Sequence, residues 1–237
     1  IGSRINTPAV GMYVDNIPLM NKNSFDAALW DIMRMEVLRG PQSTLYGRNT
    51  VGGIINMYTL SPDVYQGARI SAGYSSGETY NIKGSAYFKP SNKIALSIGG
   101  NYLNSGGFFK NEYTGEKADW EEAGSGRFRF IYTPNSRLKI DNSFIFGKVD
   151  QGGYAYRPYN AQTGEVAPVS YNDKSGYERT TLLNGLSINY TGKKVIFSSI
   201  TTWQYLDDRM TLDQDFSPAS IFTLQQAQHE NTVTQDF

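Results

Sequence analysis

From Gly67 onwards the chain alternates apolar and polar residues with a period of two. In six segments every even-numbered position is Ala, Ile, Leu, Gly, Phe or Tyr, with Asn142 and Asn184 as exceptions, while odd-numbered positions include Arg127 and Lys139. Because successive side chains of a strand point to opposite faces, this pattern predicts a sheet with one face free of charge. The six predicted strands are residues 68–74, 80–88, 94–102, 128–132, 138–146 and 182–190.

Aromatic residues lie near the ends of these strands on the uncharged face, with smaller apolar residues between them. They are Tyr74, Tyr80, Phe88, Tyr102, Tyr132, Phe146 and Tyr190. Aromatic girdles around an apolar band are typical of a barrel wall that faces lipid. A lysine or arginine at the bilayer midplane would cost about 2–4 kcal/mol, which accounts for the absence of charge. The inner face of a soluble β-sandwich also excludes charge, so the alternation alone leaves that alternative open.

The connections between predicted strands alternate between long and short. Long excursions cover residues 103–126, 147–179 and 206–230, and tight turns lie at 89–93, 133–137 and 191–194. Only the first hairpin, Ser-Ser-Gly-Glu at 75–78, breaks this rhythm. Outer-membrane barrels have short turns on one side and long loops on the other because successive strands end on opposite sides. The rhythm therefore favours a membrane barrel over a soluble sheet.

The last two strands are less regular than the first six. Residues 195–206 mix polar and apolar side chains at both parities, and an eighth strand covers 231–237. For the seventh strand the odd-numbered set is predicted to face outward: Val195, Phe197, Thr201, Trp203 and Tyr205.

The first 62 residues have a different pattern, with short apolar runs and one predicted helix. We expect strands at residues 11–15, 35–38 and 54–58, and a helix at 25–33 that begins after an N-cap at Ser24. Between the last two strands, Gly40-Pro41 ends the strand that covers 35–38. Residues 42–46 can then form a helical turn, which Gly47 can end in a left-handed conformation. The glycines do not have the spacing of a phosphate-binding loop.

Composition excludes several classes of function. The formal net charge is zero, which gives no electrostatic argument for nucleic-acid binding. The chain has no cysteine and a single histidine, His229, so we expect no metal site, and no cofactor is indicated. Adjacent carboxylates such as Asp207-Asp208 and Glu121-Glu122 lie in predicted loops without a base beside them, so no enzyme activity is predicted. No apolar run is long enough for a transmembrane helix.

Two segments closely resemble the plug domain of TonB-dependent outer-membrane receptors. They are MEVLRGPQSTLYGRNTVGGIINMYT, which begins at Met35, and GMYVDNIPL, which begins at Gly11. The resemblance implies a mainly β fold: residues 1–62 as the C-terminal part of a mixed α/β plug, and residues 63–237 as about eight strands of a larger transmembrane antiparallel barrel. Plugged transporters of this kind have about 22 strands. The chain is accordingly expected to be a fragment of a receptor.

The resemblance also implies a function. Such receptors lie in the outer membrane of Gram-negative bacteria, contact its lipid, and import scarce nutrients, most often ferric siderophores. Their energy comes from the inner-membrane complex of TonB with ExbB and ExbD.

Candidate ligand-binding residues lie in one predicted plug loop and one long wall loop. By resemblance the first is an apical plug loop, while tyrosines with an arginine in the second suit a flat, anionic, aromatic iron complex. These candidates are Met20, Asn21, Lys22, Asn23, Tyr154, Tyr156, Arg157 and Tyr159. An ordinary solvated turn for the first group and simple loop packing for the second remain open alternatives.

Candidate plug–barrel contacts follow from the resemblance as well. Arg39 occupies the family's Arg-Gly-Pro position, where it is expected to pair with acidic residues of the barrel wall. Arg34 and Glu36 are expected to belong to the same network.

Other functions remain open at this point. A TonB-dependent oligosaccharide or cobalamin importer would share the plug and barrel, although Val-Leu-Arg-Gly-Pro modestly favours the siderophore type. From a different class, a small closed eight-stranded structural or adhesion barrel is also possible.

Overall fold

The computed structural model of the protein describes residues 9–26, 29–41 and 50–237, in which twelve strands form two sheets. The four-stranded sheet, here called the small sheet, contains β1 (Val10–Val14), β2 (Ile17–Leu19), β3 (Ile32–Arg39) and β4 (Gly53–Thr59). The eight-stranded sheet, here called the wall, contains β5 (Gly67–Ser75), β6 (Thr79–Ser91), β7 (Ile94–Ser105), β8 (Glu121–Asn135), β9 (Leu138–Gly152), β10 (Gly176–Thr191), β11 (Ile196–Asp213) and β12 (Thr223–Asp236).

The small sheet has the strand order β2-β1-β4-β3. β1 pairs in parallel with β4, whereas its pairing with β2 and the β3–β4 pairing are antiparallel. Asp15 and Asn16 connect β1 to β2 with φ angles of 52° and 67°. Positive φ at both central residues is the requirement of a type I′ turn, and Asp and Asn accept it more readily than most residues.

The wall is a meander in which every strand pairs with its neighbours in sequence, in the order β5 to β12. Each neighbouring pair is antiparallel. β5 and β12 are the two edges of this sheet and do not pair with each other among the residues described. The eight strands therefore do not close into the small barrel that the sequence left open.

The predicted alternation of faces in the wall is confirmed. Large apolar residues at even positions from β5 to β10 are exposed on the outer surface, including Ile70, Ile82, Ile98, Phe128 and Phe146. In β11 the odd-numbered residues face outward, as predicted. The register pairs Trp203 with Asn184 and Tyr205 with Leu182, which are outward residues of β10. The two outward polar exceptions satisfy each other, since the Asn142 and Asn184 amides exchange hydrogen bonds of 3.2 and 3.3 Å.

The alternation of connection lengths is also confirmed, but the strands are longer than predicted. Two-residue turns join β6 to β7 and β8 to β9, and residues 192–195 join β10 to β11. At the other end lie the loops 106–120, 153–175 and 214–222. The predicted loop 206–230 is largely strand, because β11 and β12 stay paired along their length up to Asp213 and Thr223. The end of the wall with the tight turns is called the short-turn end, and the end with the three loops is called the long-loop end.

The predicted helix at residues 25–33 is wrong. Residues 29–31 are not helical, and β3 already begins at Ile32. A short 3₁₀ helix covers Lys22–Ser24 instead, and Asn21 is its N-cap. No described helix is long and apolar enough to cross a membrane. The predicted turn at residues 42–47 lies outside the described residues.

The small sheet packs against the inward face of the wall. Their shared core contains Val14, Ile17, Leu19, Trp30, Met57, Ile145 and Leu183. Gly185 shows how close the two sheets lie, because a Cβ atom there would be 2.3 Å from Ile17 Cδ1. A larger residue at this inward wall position would push the small sheet away.

Candidate functional site

The predicted apical loop lies against the wall. The Met20 amide donates a hydrogen bond of 2.9 Å to Gln204 Oε1 of β11, and Asn21 Nδ2 donates to the Glu230 carboxylate of β12. Asn23 Nδ2 donates to Asp208 Oδ2 of β11 at 2.8 Å. The loop therefore docks on the part of β11 and β12 that leads to the long-loop end.

Arg179 of β10 fixes the next part of the same loop. Its guanidinium donates to the Asn23 carbonyl oxygen and forms two hydrogen bonds of 2.8 and 2.6 Å with the Asp26 carboxylate. Ser24 completes the contact, since Gln204 Nε2 donates to its hydroxyl at 2.7 Å. The sequence predicts that Met20, Asn21, Lys22 and Asn23 form part of a ligand site, and this stays a prediction. The contacts of Met20, Asn21 and Asn23 hold the loop to the wall.

A buried ionic cluster joins the two sheets nearer the short-turn end. Arg129 of β8 makes two hydrogen bonds of 2.9 Å to the Asp141 carboxylate of β9, and its Nη1 lies 3.1 Å from Asp15 Oδ2 of the small sheet. The side chains of Arg129 and Asp15 are only 9% and 8% exposed. Thr59 links them, because it donates to Asp15 from its amide and its hydroxyl and accepts from Arg129 at 3.2 Å. Every charge in this cluster has an opposite partner, as burial requires.

A second polar contact surrounds Asp31 at the start of β3. Its carboxylate accepts hydrogen bonds from Ser85 and Tyr87 of β6, the latter at 2.7 Å, and lies 3.4 Å from Arg69 of β5. Burial alone would raise the pKa of Asp31. The hydrogen bonds and the charges of Arg69 and Arg127 outweigh it, so the pKa lies below the usual value.

Trp30 and Arg127 form the third contact between the sheets. The Arg127 guanidinium lies 4.9 Å from the centre of the Trp30 ring and donates to the Trp30 carbonyl oxygen at 3.3 Å. Both side chains are buried. A cation–π contact of this kind is strongest where water is excluded.

The segment between the sheets is also tied to the wall. Asp63, in the connection from β4 to β5, pairs with Lys139 Nζ at 2.8 Å and accepts from the Ser61 hydroxyl. Burial acts to raise the pKa of Asp63, but these hydrogen bonds and the charges of Lys139 and Arg129 lower it below the usual value. Lys89 adds a bond of 3.1 Å to the Asp63 carbonyl oxygen.

The predicted plug-contact residues lie on β3, at the edge of the small sheet. Arg34 pairs with Glu36 at 3.0 Å and stacks over the Tyr58 ring at 4.1 Å. Arg39 is exposed, and no ion pair joins it to the wall among the residues described. Its pairing with barrel acids in the whole receptor stays a prediction.

The candidate loop residues lie at the long-loop end. Tyr154 and Tyr156 stack with ring centres 5.9 Å apart, and Tyr156 also contacts Phe216 at 5.0 Å. Arg157 lies 5.6 Å from the centre of the Phe109 ring, so it bridges two loops. Tyr159 is 65% exposed. The structure thus places Tyr154 and Tyr156 in one aromatic group with Phe216, and Arg157 against Phe109 of the neighbouring loop.

Buried polar contacts hold the long loops together. Asn111 is 2% exposed, its amide donates to the Tyr171 carbonyl at 2.8 Å, and its oxygen accepts from the Tyr171 amide at 3.2 Å. Loop 153–175 is tied in turn to loop 214–222, because Asn172 bonds to the Ser217 carbonyl. The three loops therefore form one connected layer over the wall.

An open crevice lies between the segment that precedes β3 and the wall, below this layer. Its lining includes Trp30, Lys83, Glu121, Ser125 and Arg179. The lining combines charges of both signs with small side chains.

Sequence reasoning missed most of the contacts between the sheets. Arg127 and Arg129 were recognised only as members of the charged face, although two adjacent inward arginines are a signal that acids must approach them. Asp15 was predicted only as the last residue of a strand, and nothing in the sequence shows that its carboxylate reaches Arg129.

Comparison with known proteins is consistent with this arrangement. Residues 3–54 match the TonB-dependent receptor plug domain family. The pesticin receptor of Yersinia pestis is 46% identical over 76 residues, which are 32% of this chain and 11% of that protein. The same values hold for the pesticin receptor of Yersinia enterocolitica.

Solved structures match nearly the whole chain. The ferric yersiniabactin uptake receptor FyuA from Yersinia pestis aligns with a TM-score of 0.80 and 25% identity over 97% of this chain and 36% of that one. The pyoverdine receptor FpvA from Pseudomonas aeruginosa PAO1 aligns with a TM-score of 0.70 and 14% identity over 99% of this chain and 36% of that one, which shows the fold alone.

The chain thus spans about a third of the length of these solved receptors and matches 11% of the curated ones. Its small sheet corresponds to the plug, its wall to part of a transmembrane barrel, and its relatives are receptors and not enzymes. Together, the match of residues 3–54 to the plug family, the pesticin receptors and the FyuA structure support the identification of this chain as a fragment of a TonB-dependent receptor.

Proposed function

We propose that this chain is part of an outer-membrane receptor that binds a ferric siderophore at its long-loop end and imports it with energy from TonB, ExbB and ExbD. Residues 1–62 belong to the plug and residues 63–237 to the first strands of the barrel. One observation carries the proposal: the small sheet is anchored by an apolar core and buried charges to the inner face of a wall whose outer face is apolar. A wall of that kind suits a lipid bilayer outside and a closed lumen inside.

The anchoring explains why import would need energy. Breaking a buried ion pair by removing one partner costs about 3–5 kcal/mol, and the small sheet holds Arg129 through Asp15 as well as several neutral bonds. Thermal motion alone would rarely open such an interface. A force delivered from the inner membrane through TonB would supply the missing work.

The long-loop end has the chemistry for a flat, aromatic, anionic ligand. Tyr154 and Tyr156 offer stacked rings, Arg157 offers a cation beside an aromatic ring, and Tyr159 is exposed. Stacking and cation–π attraction both favour ferric complexes of aromatic chelators.

The loop of Met20, Asn21, Lys22 and Asn23 is proposed as the plug's contribution to the same site. It lies on the side of the small sheet that faces the long-loop end. Asn21 and Asn23 already bond to Glu230 and Asp208. A ligand that accepts hydrogen bonds from these amides must displace Glu230 and Asp208 and so release the loop from the wall. Ligand binding would thereby be coupled to loosening of the plug.

Growth with one limiting nutrient tests the proposal: iron is limiting for the ferric complexes, and cobalamin or the carbon source is limiting for the other two ligand classes. The intact receptor is expressed in a strain that lacks its own siderophore receptors and is offered ferric yersiniabactin, ferric pyoverdine, a ferric catecholate, cobalamin or an oligosaccharide. Growth on at least one ferric complex, lost when TonB is deleted, is the expected result. Rescue by cobalamin or an oligosaccharide alone would contradict the siderophore assignment, and growth that persists without TonB would contradict the transport mechanism.

A further inference from the structure

The tight turns at the short-turn end of the wall are all basic. Residues 88–94, 132–138 and 190–197 contain no acidic residue, yet each includes at least one lysine or arginine. Four of these cations, here called the basic rim, occupy the turns themselves: Lys93, Arg137, Lys193 and Lys194. Three successive hairpins therefore present only positive charge at this end.

The basic rim has no partner within the wall. All four side chains are exposed, and within residues 50–237 none of them makes an ion pair. Nearby cations that do serve the fold behave differently, because Lys139 pairs with Asp63 and Lys89 bonds to its carbonyl oxygen. The rim charges are thus not needed to hold the fold.

Aromatic residues lie directly beside the rim on the outward face. Phe88 precedes the first turn, Tyr132 the second, and Tyr190 the third, and Phe197 follows the third on the next strand. Of these, Phe88, Tyr190 and Phe197 are exposed. Aromatic rings of this kind sit at the boundary between hydrocarbon and headgroups, so the rim, a few residues further on, lies at the level of the headgroup phosphates.

The rim is also extended rather than compact. Successive hairpins are separated by two strands, or roughly 10 Å, along the sheet. The charges form a row that runs parallel to the aromatic residues. Such a row matches the surface of a membrane better than it matches a single small anion or a compact acidic protein.

The opposite end of the wall does not share this bias. Beyond Phe146 and Tyr205 the outward positions carry acids and bases together, such as Asp150 and Glu178 beside Lys148. The asymmetry distinguishes the two leaflets that the wall would meet.

We infer that the basic rim binds the phosphate headgroups of anionic phospholipids in the leaflet at the short-turn end. This inference rests on the proposed outer-membrane location and goes beyond it by naming a lipid class and the residues that select it. Each rim cation near an anionic surface strengthens binding about fivefold, so the four together give a clear preference over zwitterionic lipid.

The test uses the intact receptor in bilayers made from equal parts of phosphatidylglycerol and phosphatidylcholine. After extraction in mild detergent, the retained lipids are identified by native mass spectrometry. The test variant carries Lys93→Gln, Arg137→Gln, Lys193→Gln and Lys194→Gln. Enrichment of phosphatidylglycerol in the unmodified receptor, and a loss of that enrichment by at least about tenfold in the variant, is the expected result.

Two further variants serve as controls. One removes four exposed cations at the long-loop end through Lys110→Gln, Lys148→Gln, Lys174→Gln and Arg209→Gln, and it should keep the enrichment. The other exchanges lysine and arginine at the four rim positions and should keep it too. Circular dichroism on the same samples reports the folded state, and ferric-siderophore binding tests the proposed function independently of the lipid measurement.

The remaining outcomes count against the inference. Equal enrichment in the rim variant, or equal loss in the long-loop control, would show that the rim does not select lipid. Binding of soluble peptidoglycan fragments by the rim, without any preference among lipids, would assign the charges to an acidic polymer instead.

Discussion

Asp15 of the small sheet lies 3.1 Å from Arg129 of the wall, and both side chains are more than nine-tenths buried. The two residues come from separate sheets and lie 114 positions apart in sequence. Their pairing therefore holds the plug in the wall at one defined depth. Asp141 and Thr59 complete the cluster, so each charge within it has an opposite partner.

Substitution of Arg129 by Gln is expected to loosen the small sheet. The change leaves the buried Asp15 and Asp141 carboxylates without their cation, at a cost of about 3–5 kcal/mol. Hydrogen exchange at β1 and β4 amides of the intact receptor should accelerate accordingly. Arg34→Gln is the control, since its ion pair with Glu36 is largely exposed and contributes at most about 1 kcal/mol. Equal exchange in both variants would show that the cluster does not anchor the plug.

The Asp63–Lys139 pair predicts a dependence of stability on acid. The pKa of Asp63 is lower in the folded protein than its ordinary value, so the ionised form stabilises the fold above that ordinary value. This contribution falls away as the pH drops towards the folded-state pKa. Asp63→Asn should therefore flatten the acid limb of a plot of unfolding free energy against pH, while leaving its slope near neutrality unchanged. An unchanged acid limb would contradict the pairing.

The Asn142–Asn184 amide pair on the outward face gives a test that depends on lipid. Asn184→Leu removes one partner and leaves the Asn142 amide short of a bond, at a cost of about 1–3 kcal/mol. The double change to leucine should recover most of this loss, because two apolar side chains suit hydrocarbon. Denaturant unfolding of the receptor in lipid vesicles measures both. A double variant that is less stable than either single variant would indicate a watery outer face.

Asn111 predicts how the long loops move together. Asn111→Ala removes both hydrogen bonds to the Tyr171 backbone and should raise hydrogen exchange in loops 106–120 and 153–175 by about tenfold. Asn160→Ala is a matched control, because its side chain bonds only to amides of its own loop. If Asn160→Ala had the same effect on loop 106–120, the loops would not be coupled through Asn111.

The sequence was sufficient to predict the wall because its information is local. Side-chain alternation repeats every two residues, so even the irregular β11 could be oriented from Trp203 and Tyr205. The ends of the strands could not be predicted as well. Leu206, Met210 and Leu212 are buried beyond the outward aromatic residues, and continued pairing with β12 extends the strand past the apolar band.

The contacts between plug and wall depend on how two separate sheets meet, which no local pattern records. The segment after Ser24 has helical spacing, but Asp31 takes a φ of 53° and bonds to Ser85 and Tyr87 of the wall. Those tertiary contacts prevail over helix propensity, which is a weak preference. The candidate wall loop was predicted from its tyrosines and arginine and the candidate plug loop from the family resemblance, whereas the role of Asn111 depends on burial.

Accessibility of single spin labels in a bilayer tests most directly whether the outward face meets hydrocarbon. This chain has no cysteine, so labels can be introduced one at a time at outward Ile98, Phe128 and Phe146 and at inward Ser97 and Ser143. Outward labels should be relaxed strongly by oxygen, which concentrates in lipid, and weakly by a water-soluble nickel chelate. Inward labels should respond little to either reagent. Strong relaxation of the outward labels by the nickel chelate, or no difference between the two sets, would contradict a lipid-facing wall.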